Sequence, residues 1–593
     1  MTGTYTQKRW SLLDLFPGQG SPEMKAALAE LEERVTRFEG TRSRLTPEID
    51  PGLLLEQLKV LESITHLIQR ISGFAELWFS ENTQDQEALA FLASLENRLA
   101  EVANRVLFFS LWWKGLEESR AQRLLEACGA YRYFLEEMRH FRPHTLSEPE
   151  EKVINLKDVT GARALQTLYS MITNRYQFEL DVAGEKKKLT RGELMVHVRQ
   201  SDPHRRAAAY RELYRVYGGD GPLLSQIYSA LARDWHNEHL GLRRFGSPLA
   251  VRNLHNDLPD AVVDTLLEVC RENAGLFQRF FHLKARWLDL PRLRRYDIYA
   301  PVAVSDKRYT FAQATQLVLC SMERFEPKVA RLAERVMAED HLDSEVRAGK
   351  RSGAFCASTV PGQTPWVLSN FQGRADDVAT LAHELGHAIH SMLAAHHPLF
   401  TFHASLPLAE TASTFAEMLL VDQLLAEEAD PGVRRDLLFR QLDDAYATIG
   451  RQAFFALFEK EAHQRVQAGA ATDELCQAYL DNLHAQFGEA VEVADEFRWE
   501  WVSIPHIYDV PFYVYAYAFG QLLVLALYRQ YQAEGRAFIP RYMELLSAGG
   551  SASPNEILTR AGLNMEARAF WQGGFDALSA RIAELEKLPI ASA

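Results

Sequence analysis

Apolar residues recur every three or four positions along most of this chain. After Ser21-Pro22, a cap followed by a proline in the first turn, Leu28, Leu31, Val35 and Phe38 share one helical face. Glu32, Glu33, Arg34 and Arg37 take the other. The same pattern predicts helices over 53–71, 84–107 and 121–139, separated by short polar joints such as 80–83. A hairpin is predicted over 178–190, where FELDV and KKKLT flank Ala183-Gly184-Glu185. Helices resume at Ser201-Asp202-Pro203. Segments 292–307 and 351–373 lack a helical period, and PWVLSNF within the second reads as a strand. The pattern predicts a mostly α protein with a small β element, divided into a helical domain over 1–200, with a hairpin near 178–190, and a second helical domain over 201–593.

Composition narrows the function classes. Of 593 residues, 47% are apolar and 24% charged, an ordinary globular balance that excludes a disordered or disulfide-scaffold chain. The 65 basic and 79 acidic residues leave a net charge of −14, the wrong sign for a protein that grips phosphate backbones, so no nucleic-acid partner is expected. The five cysteines show no CxxC spacing, which argues against a thiolate metal site and fits a reducing compartment. The opening MTGTYTQKRWSLLDLFPG has no signal-like apolar core and carries Asp14, so a cytoplasmic location is expected. Residues 510–528 are uncharged and long enough to raise the question of a membrane span. Pro511, Gly520, Gln521 and four tyrosines favour a buried helix, and no membrane partner is expected.

The chemistry concentrates in DDVATLAHELGHAIHSML, where Asp376 or Asp377 can cap a helix. His383 and His387 lie four apart and project from one face, able to take two corners of a tetrahedral zinc site. Glu384 beside them can reach a water at the metal without ligating it, as the general base of a zinc peptidase must. A third ligand is needed, and LPLAETASTFAEMLL offers Glu410 and Glu417, seven apart on an otherwise apolar face. Glu410 is assigned as the third ligand, and Glu417 as the acceptor for a ligating histidine's other nitrogen. His390 competes, but three ligands within eight residues of one straight helix strain a tetrahedron, so it is placed in the wall beside the metal. Downstream, IPHIYDVPFYVYAYAFG groups His506 with Tyr508, Tyr513, Tyr515 and Tyr517. These can simply pack, or can donate hydrogen bonds to an oxyanion.

HELGHAIHS, ETASTFAE, PHIYDVPFYVYAYAFG and the closing SAGGSASPNEILTRAGLNM together resemble the oligoendopeptidase F branch of the thimet-oligopeptidase-like zinc metallopeptidases. The resemblance implies a clam-like helical zincin with a deep central channel and a small β element beside the metal helix. It implies one zinc ion per chain on His383, His387 and Glu410, with Glu384 as base, and short peptides as substrates, cut internally, with folded proteins excluded. A zinc exopeptidase or a catalytically silent peptide binder is the alternative. His506 matches the family's histidine, and lining up FYVY makes Tyr508 and Tyr515 the oxyanion donors, with Tyr513 or Tyr517 as replacements. The strand Trp366, Val367, Leu368, Ser369 and Asn370 is expected to pair with an extended peptide.

Overall fold

The Ser21 hydroxyl accepts the Met24 N–H at 3.1 Å and starts helix α1 (Pro22–Glu39) as the cap predicts. Asp50 and Asp85 cap α2 (Pro51–Glu81) and α3 (Gln86–Gly115) in the same way, through paired bonds to the first-turn N–H groups. This computed structural model describes residues 5–182, 184–302 and 307–589. The helix predicted over 121–139 is instead two, Glu118–Leu125 and Arg132–His140, because Gly129 turns left-handed at φ 53 between them. Strands β1 (Phe178–Val182) and β2 (Glu185–Leu189) pair antiparallel, Phe178 opposite Leu189, as the predicted hairpin requires. Ala183 of its turn lies outside the described residues, as do 303–306 of the segment read as irregular. Further along come α4 (Pro248–His255), β3 (Leu342–Asp343), β4 (Phe355–Ala357), β5 (Trp366–Leu368), α5 (Ala375–Leu393), α6 (Thr411–Glu427), α7 (Arg451–Gln467) and α8 (Tyr515–Glu534). About 70% of the chain is helical.

Packing divides the chain into two units. One takes Met1–Arg142, Lys307–Ala426 and Gln530–Leu563; the other takes Pro143–Asp306, Glu427–Arg529 and Asn564–Ala593. The expected boundary at residue 200 is therefore not where the packing divides, and the hairpin belongs to the second unit. The reason is visible in the first unit's core, where Phe38, Phe74, Phe109 and Trp113 of α1–α3 share one apolar cluster with Trp366 and Leu368 of β5. Each such side chain contributes about 1.5–3 kcal/mol by leaving water, so the N-terminal helices are held to residues more than two hundred positions away. The Trp366 indole N–H adds a 2.8 Å bond to the Ser11 carbonyl. In the second unit, Arg206 and Asp297 form a buried ion pair at 2.8 Å. A pair so buried adds little net stability, because leaving water costs the two ions about as much as their attraction returns.

The first unit's sheet has the order β3-β5-β4. β5 runs parallel to β3, Val367 opposite Leu342, and antiparallel to β4, Val367 opposite Cys356. The predicted strand exists, but it is central. Both of its edges are filled, so Trp366, Val367 and Leu368 cannot accept a peptide, and Ser369 and Asn370 lie beyond it. Ser369 N–H donates to Asp343 O, and the Asn370 amide to Arg351 O and Gly353 O. Among the described residues no helix is long and apolar enough to cross a membrane. Segment 510–528 resolves into a turn followed by α8, which runs on into charged Arg529 and Glu534.

Candidate metal centre

Helix α5 buries Val378, Leu381, Leu385, Ala388 and Ile389 along one side. Its start is closed by Asp377, whose carboxylate accepts N–H bonds from Gln372 and Arg374 at 2.8 and 2.9 Å. The cap position is thus Arg374, and Asp377 acts from three residues inside the helix. Gly386 lets the next segment approach. A Cβ there would stand 2.5 Å from the Ser413 Cα and 2.7 Å from the Ala412 carbonyl, so only glycine admits the start of α6 at this distance.

That approach brings three ligand atoms together. His383 Nε2 and His387 Nε2 are 3.2 Å apart, and Glu410 Oε2 stands 3.3 Å from each. A tetrahedral ion with bonds of about 2.0–2.1 Å needs ligand spacings of about 3.3–3.4 Å, so this triangle is one face of such a site. His383 Nδ1 donates to Glu417 Oε1 at 2.5 Å, which fixes the tautomer and leaves the Nε2 lone pair toward the other two atoms. Ser413 Oγ donates to Glu410 Oε2 at 2.8 Å and orients that carboxylate. Burial opposes charge on His383, but the Glu410 and Glu417 carboxylates outweigh it and raise its pKa to about 10. Two imidazole nitrogens and a carboxylate oxygen converging at this spacing form a donor set that suits a divalent cation. Glu384 is 7% exposed, and burial pushes its carboxyl pKa up against the pull of the two histidines. His390 is buried beside this group without joining the triangle, and burial lowers its pKa to about 4.

The triangle opens on a cleft of about 660 Å³, lined by Gln69, Gly73 and Glu76 of α2, by β4, and by His383, Glu384 and His387 of α5. Of the sheet's two edge strands, β4 is the one that lines this cleft. Val367 N–H donates to the His341 carbonyl on the β3 side, so Val367 turns its backbone groups toward β3 while its neighbours turn theirs toward β4. It follows from the register that Phe355 and Ala357 face β5, and that the Cys356 N–H and C=O face outward.

In the second unit the two expected donors, Tyr508 and Tyr515, are turned inward. Tyr508 is fully buried, stacked 3.8 Å from Tyr169, with its hydroxyl toward the Leu224 carbonyl. Tyr515 is also fully buried, and its hydroxyl accepts the Asn256 amide N–H at 2.8 Å. Both pack inward: Tyr508 by its stack on Tyr169, and Tyr515 because α8 begins there and sets that side chain toward the interior. Tyr513 and Tyr517 instead flank His506, with ring centroids 6.2 and 6.1 Å from the imidazole, and Tyr517 is 37% exposed. Burial lowers the His506 pKa, keeping the ring neutral with one N–H to donate.

A sequence model described as peptidase family M3 matches residues 196–576. The chain belongs to peptidase family M3. A second model, described as oligopeptidase F, matches residues 112–178, which places this M3 member in the oligoendopeptidase F branch. Oligopeptidase PepF of Bacillus subtilis is 26% identical over 98% of this chain and 87% of its own length. An oligoendopeptidase F homolog of Lactococcus lactis is 28% identical over 94% of this chain and 95% of its own. A crystallised Chlamydophila abortus protein superposes with a TM-score of 0.88 at 26% identity over 98% of both chains. Oligoendopeptidase-F of Enterococcus faecium superposes at 0.71 and 23% identity, over 95% of this chain and 98% of its own, a likeness of fold. This M3 chain is a metalloendopeptidase, and the family implies a metal. Sequence reasoning missed β4, whose three residues follow Gly353 and carry no alternation, and it missed the role of Gly386, whose only sign was its place between the two histidines.

Proposed function

We propose that this chain is a zinc-dependent endopeptidase that cuts internal bonds of short peptides, with one ion held by His383, His387 and Glu410. The observation that carries this reading is the triangle of ligand atoms at 3.2–3.3 Å with Glu384 beside it and Glu417 on the His383 Nδ1. Two imidazoles and one carboxylate suit zinc among the common divalent ions. When bound there, the ion supplies Lewis acidity for the scissile carbonyl and for the attacking water.

The chain's own groups do the rest. An extended peptide adds to the open edge of β4 through the outward N–H and C=O of Cys356, so recognition rests on main chain and tolerates varied side chains. The Glu384 carboxylate takes a proton from water as its oxygen bonds to the carbonyl carbon. It then passes that proton to the amide nitrogen as the C–N bond breaks, which a carboxyl with a raised pKa does more readily. His506, Tyr513 and Tyr517 donate hydrogen bonds to the oxygen on which negative charge develops. Glu417 keeps the His383 Nδ1 protonated throughout. Five free cysteines and the lack of a membrane-crossing helix among the described residues suit a cytoplasmic peptidase.

The test is hydrolysis of a quenched fluorescent peptide of roughly eight residues, blocked at both ends so that only internal cleavage is read. Wild type should cleave it, and chelation and Glu384→Gln should each stop cleavage while the variant keeps its zinc. Zinc-loaded wild type that leaves the blocked peptide intact but trims a free-ended one would overturn the endopeptidase reading.

A further inference from the structure

The turn that delivers Tyr513 contains a residue that its conformation does not suit. Tyr513 N–H returns to the Val510 carbonyl at 3.2 Å, so Pro511 and Phe512 are the central pair. Proline holds φ negative, whereas Phe512 stands at φ 58. Negative then positive φ is the type II pattern, whose third position normally goes to glycine, and a bulky aromatic there is strained. Type I and type II turns differ by a flip of the peptide between the two central residues. The N–H of Phe512 and the C=O of Pro511 therefore report which form the turn takes.

Both of those groups are captured from distant helices. Phe512 N–H donates to Glu459 Oε1 of α7 at 2.8 Å, and Arg252 Nε of α4 donates to the Pro511 carbonyl at 3.2 Å. Glu459 is fully buried, and its second oxygen has no hydrogen-bond partner among the described residues. Such an acid is costly unless it does something. Burial pushes its carboxyl up to about 8 despite the Phe512 N–H and Arg252, and either protonation state can accept at Oε1. The Phe512 ring is buried with its centroid 4.8 Å from that of His463, also on α7, so the strained residue is gripped by side chain as well as backbone.

We propose that Glu459 and Arg252 are positioning residues of the peptidase, a clamp on the 511–512 peptide that holds the turn in its strained form and so sets the Tyr513 and Tyr517 hydroxyls for the developing oxyanion. This rests on the proposed role of those tyrosines. A flipped peptide would turn the Phe512 N–H away from Glu459 and the Pro511 carbonyl away from Arg252, and would re-aim the first turn of α8. Glu459 is fully buried and both clamp residues reach the turn through its backbone, so the clamp acts on the chemical step and leaves peptide binding alone.

The test compares kcat and KM of zinc-loaded variants on the blocked peptide. Glu459→Leu should lower kcat by about 30-fold, less than outright loss of an oxyanion donor, with KM and zinc content nearly unchanged. Glu459→Gln, which keeps an acceptor for the Phe512 N–H, should recover most of that loss. In a Tyr513→Phe/Tyr517→Phe background, Glu459→Leu should cost less than about twofold, because residues that act as a unit are not additive. Should Glu459→Leu not fold, Arg252→Gln must show the same fall in kcat without a rise in KM, at smaller size. An equal loss in both backgrounds, or slow tyrosine variants beside wild-type rates for Glu459→Leu and Arg252→Gln, would overturn the clamp and leave the tyrosines their role. Tyrosine variants with wild-type kcat would overturn both.

Discussion

The metal triangle and the His506–Tyr517 segment are built in opposite ways. The triangle grows from a regular helix: His383 and His387 are aligned by the helical repeat, and one glycine admits the strand of chain that carries Glu410. The tyrosine segment has a short helical turn, a strained loop and the start of α8, and its conformation depends on two side chains from other helices, Glu459 and Arg252. Local periodicity thus sets the first region, while long-range hydrogen bonds set the second. A change that respects the helix should spare the metal, whereas the tyrosines respond to residues far away in sequence.

The largest effects should separate the regions by what they hold. His387→Ala should remove both zinc and activity, whereas His506→Ala should keep its zinc and lose about 10²–10³-fold in kcat. Metal analysis beside kinetics decides this, and zinc loss in His506→Ala would break the division. Glu417→Ala comes next. It frees the His383 Nδ1 and should weaken zinc binding by about 10–100-fold in a competition titration with a chelator.

A smaller effect should sharpen the contrast within the first region. Cys356→Pro removes one outward N–H from the edge strand and should raise KM by about 2–10-fold with little change in kcat, the worth of a single hydrogen bond. An unchanged KM would move the peptide away from β4. The smallest effect is one of pH. Glu459 is protonated in the fold up to about pH 8 and ionised in the unfolded chain above its usual 4.5, so unfolding releases a proton between those values. Wild type should therefore lose stability relative to Glu459→Gln as pH rises from about 5 to 8, by at most about 1.4 kcal/mol per pH unit. The groups facing this acid are the Phe512 N–H, Arg252, Tyr228 and, across the Phe512 ring, His463. Denaturant midpoints at pH 5, 7 and 9 for both proteins check the sign.

The contrast also explains which predictions from sequence survived. Helices α1 to α3 and α5 follow their apolar stripes, and the cap expected at Ser21 stands because its bond spans only three residues; at α5 the expected cap Asp377 acts instead from inside the first turn. The predicted helix over 121–139 broke at Gly129, where backbone conformation overrode a continuous apolar stripe. PWVLSNF read correctly as a strand, but its place in the sheet depended on β3 and β4, two and three residues long, with no periodic signal of their own. Tyr508 and Tyr515 look like Tyr513 and Tyr517 in sequence. The stack of Tyr508 on Tyr169, the positive φ at Phe512 and the start of α8 at Tyr515 decide which pair turns inward.

By itself, the sequence determined what short-range geometry controls: the helices, the facing pair His383 and His387 with Glu384 between them, and the two carboxylates Glu410 and Glu417 seven positions apart. Side chains three or four apart on a helix meet whatever the rest of the chain does. Tertiary structure alone decided how the chain divides into units, that β4 is the edge lining the cleft, and which tyrosines stand beside His506. Each of these depends on a contact between residues far apart in sequence, and a hydrogen bond such as Phe512 N–H to Glu459 leaves no periodic trace in either partner's neighbourhood.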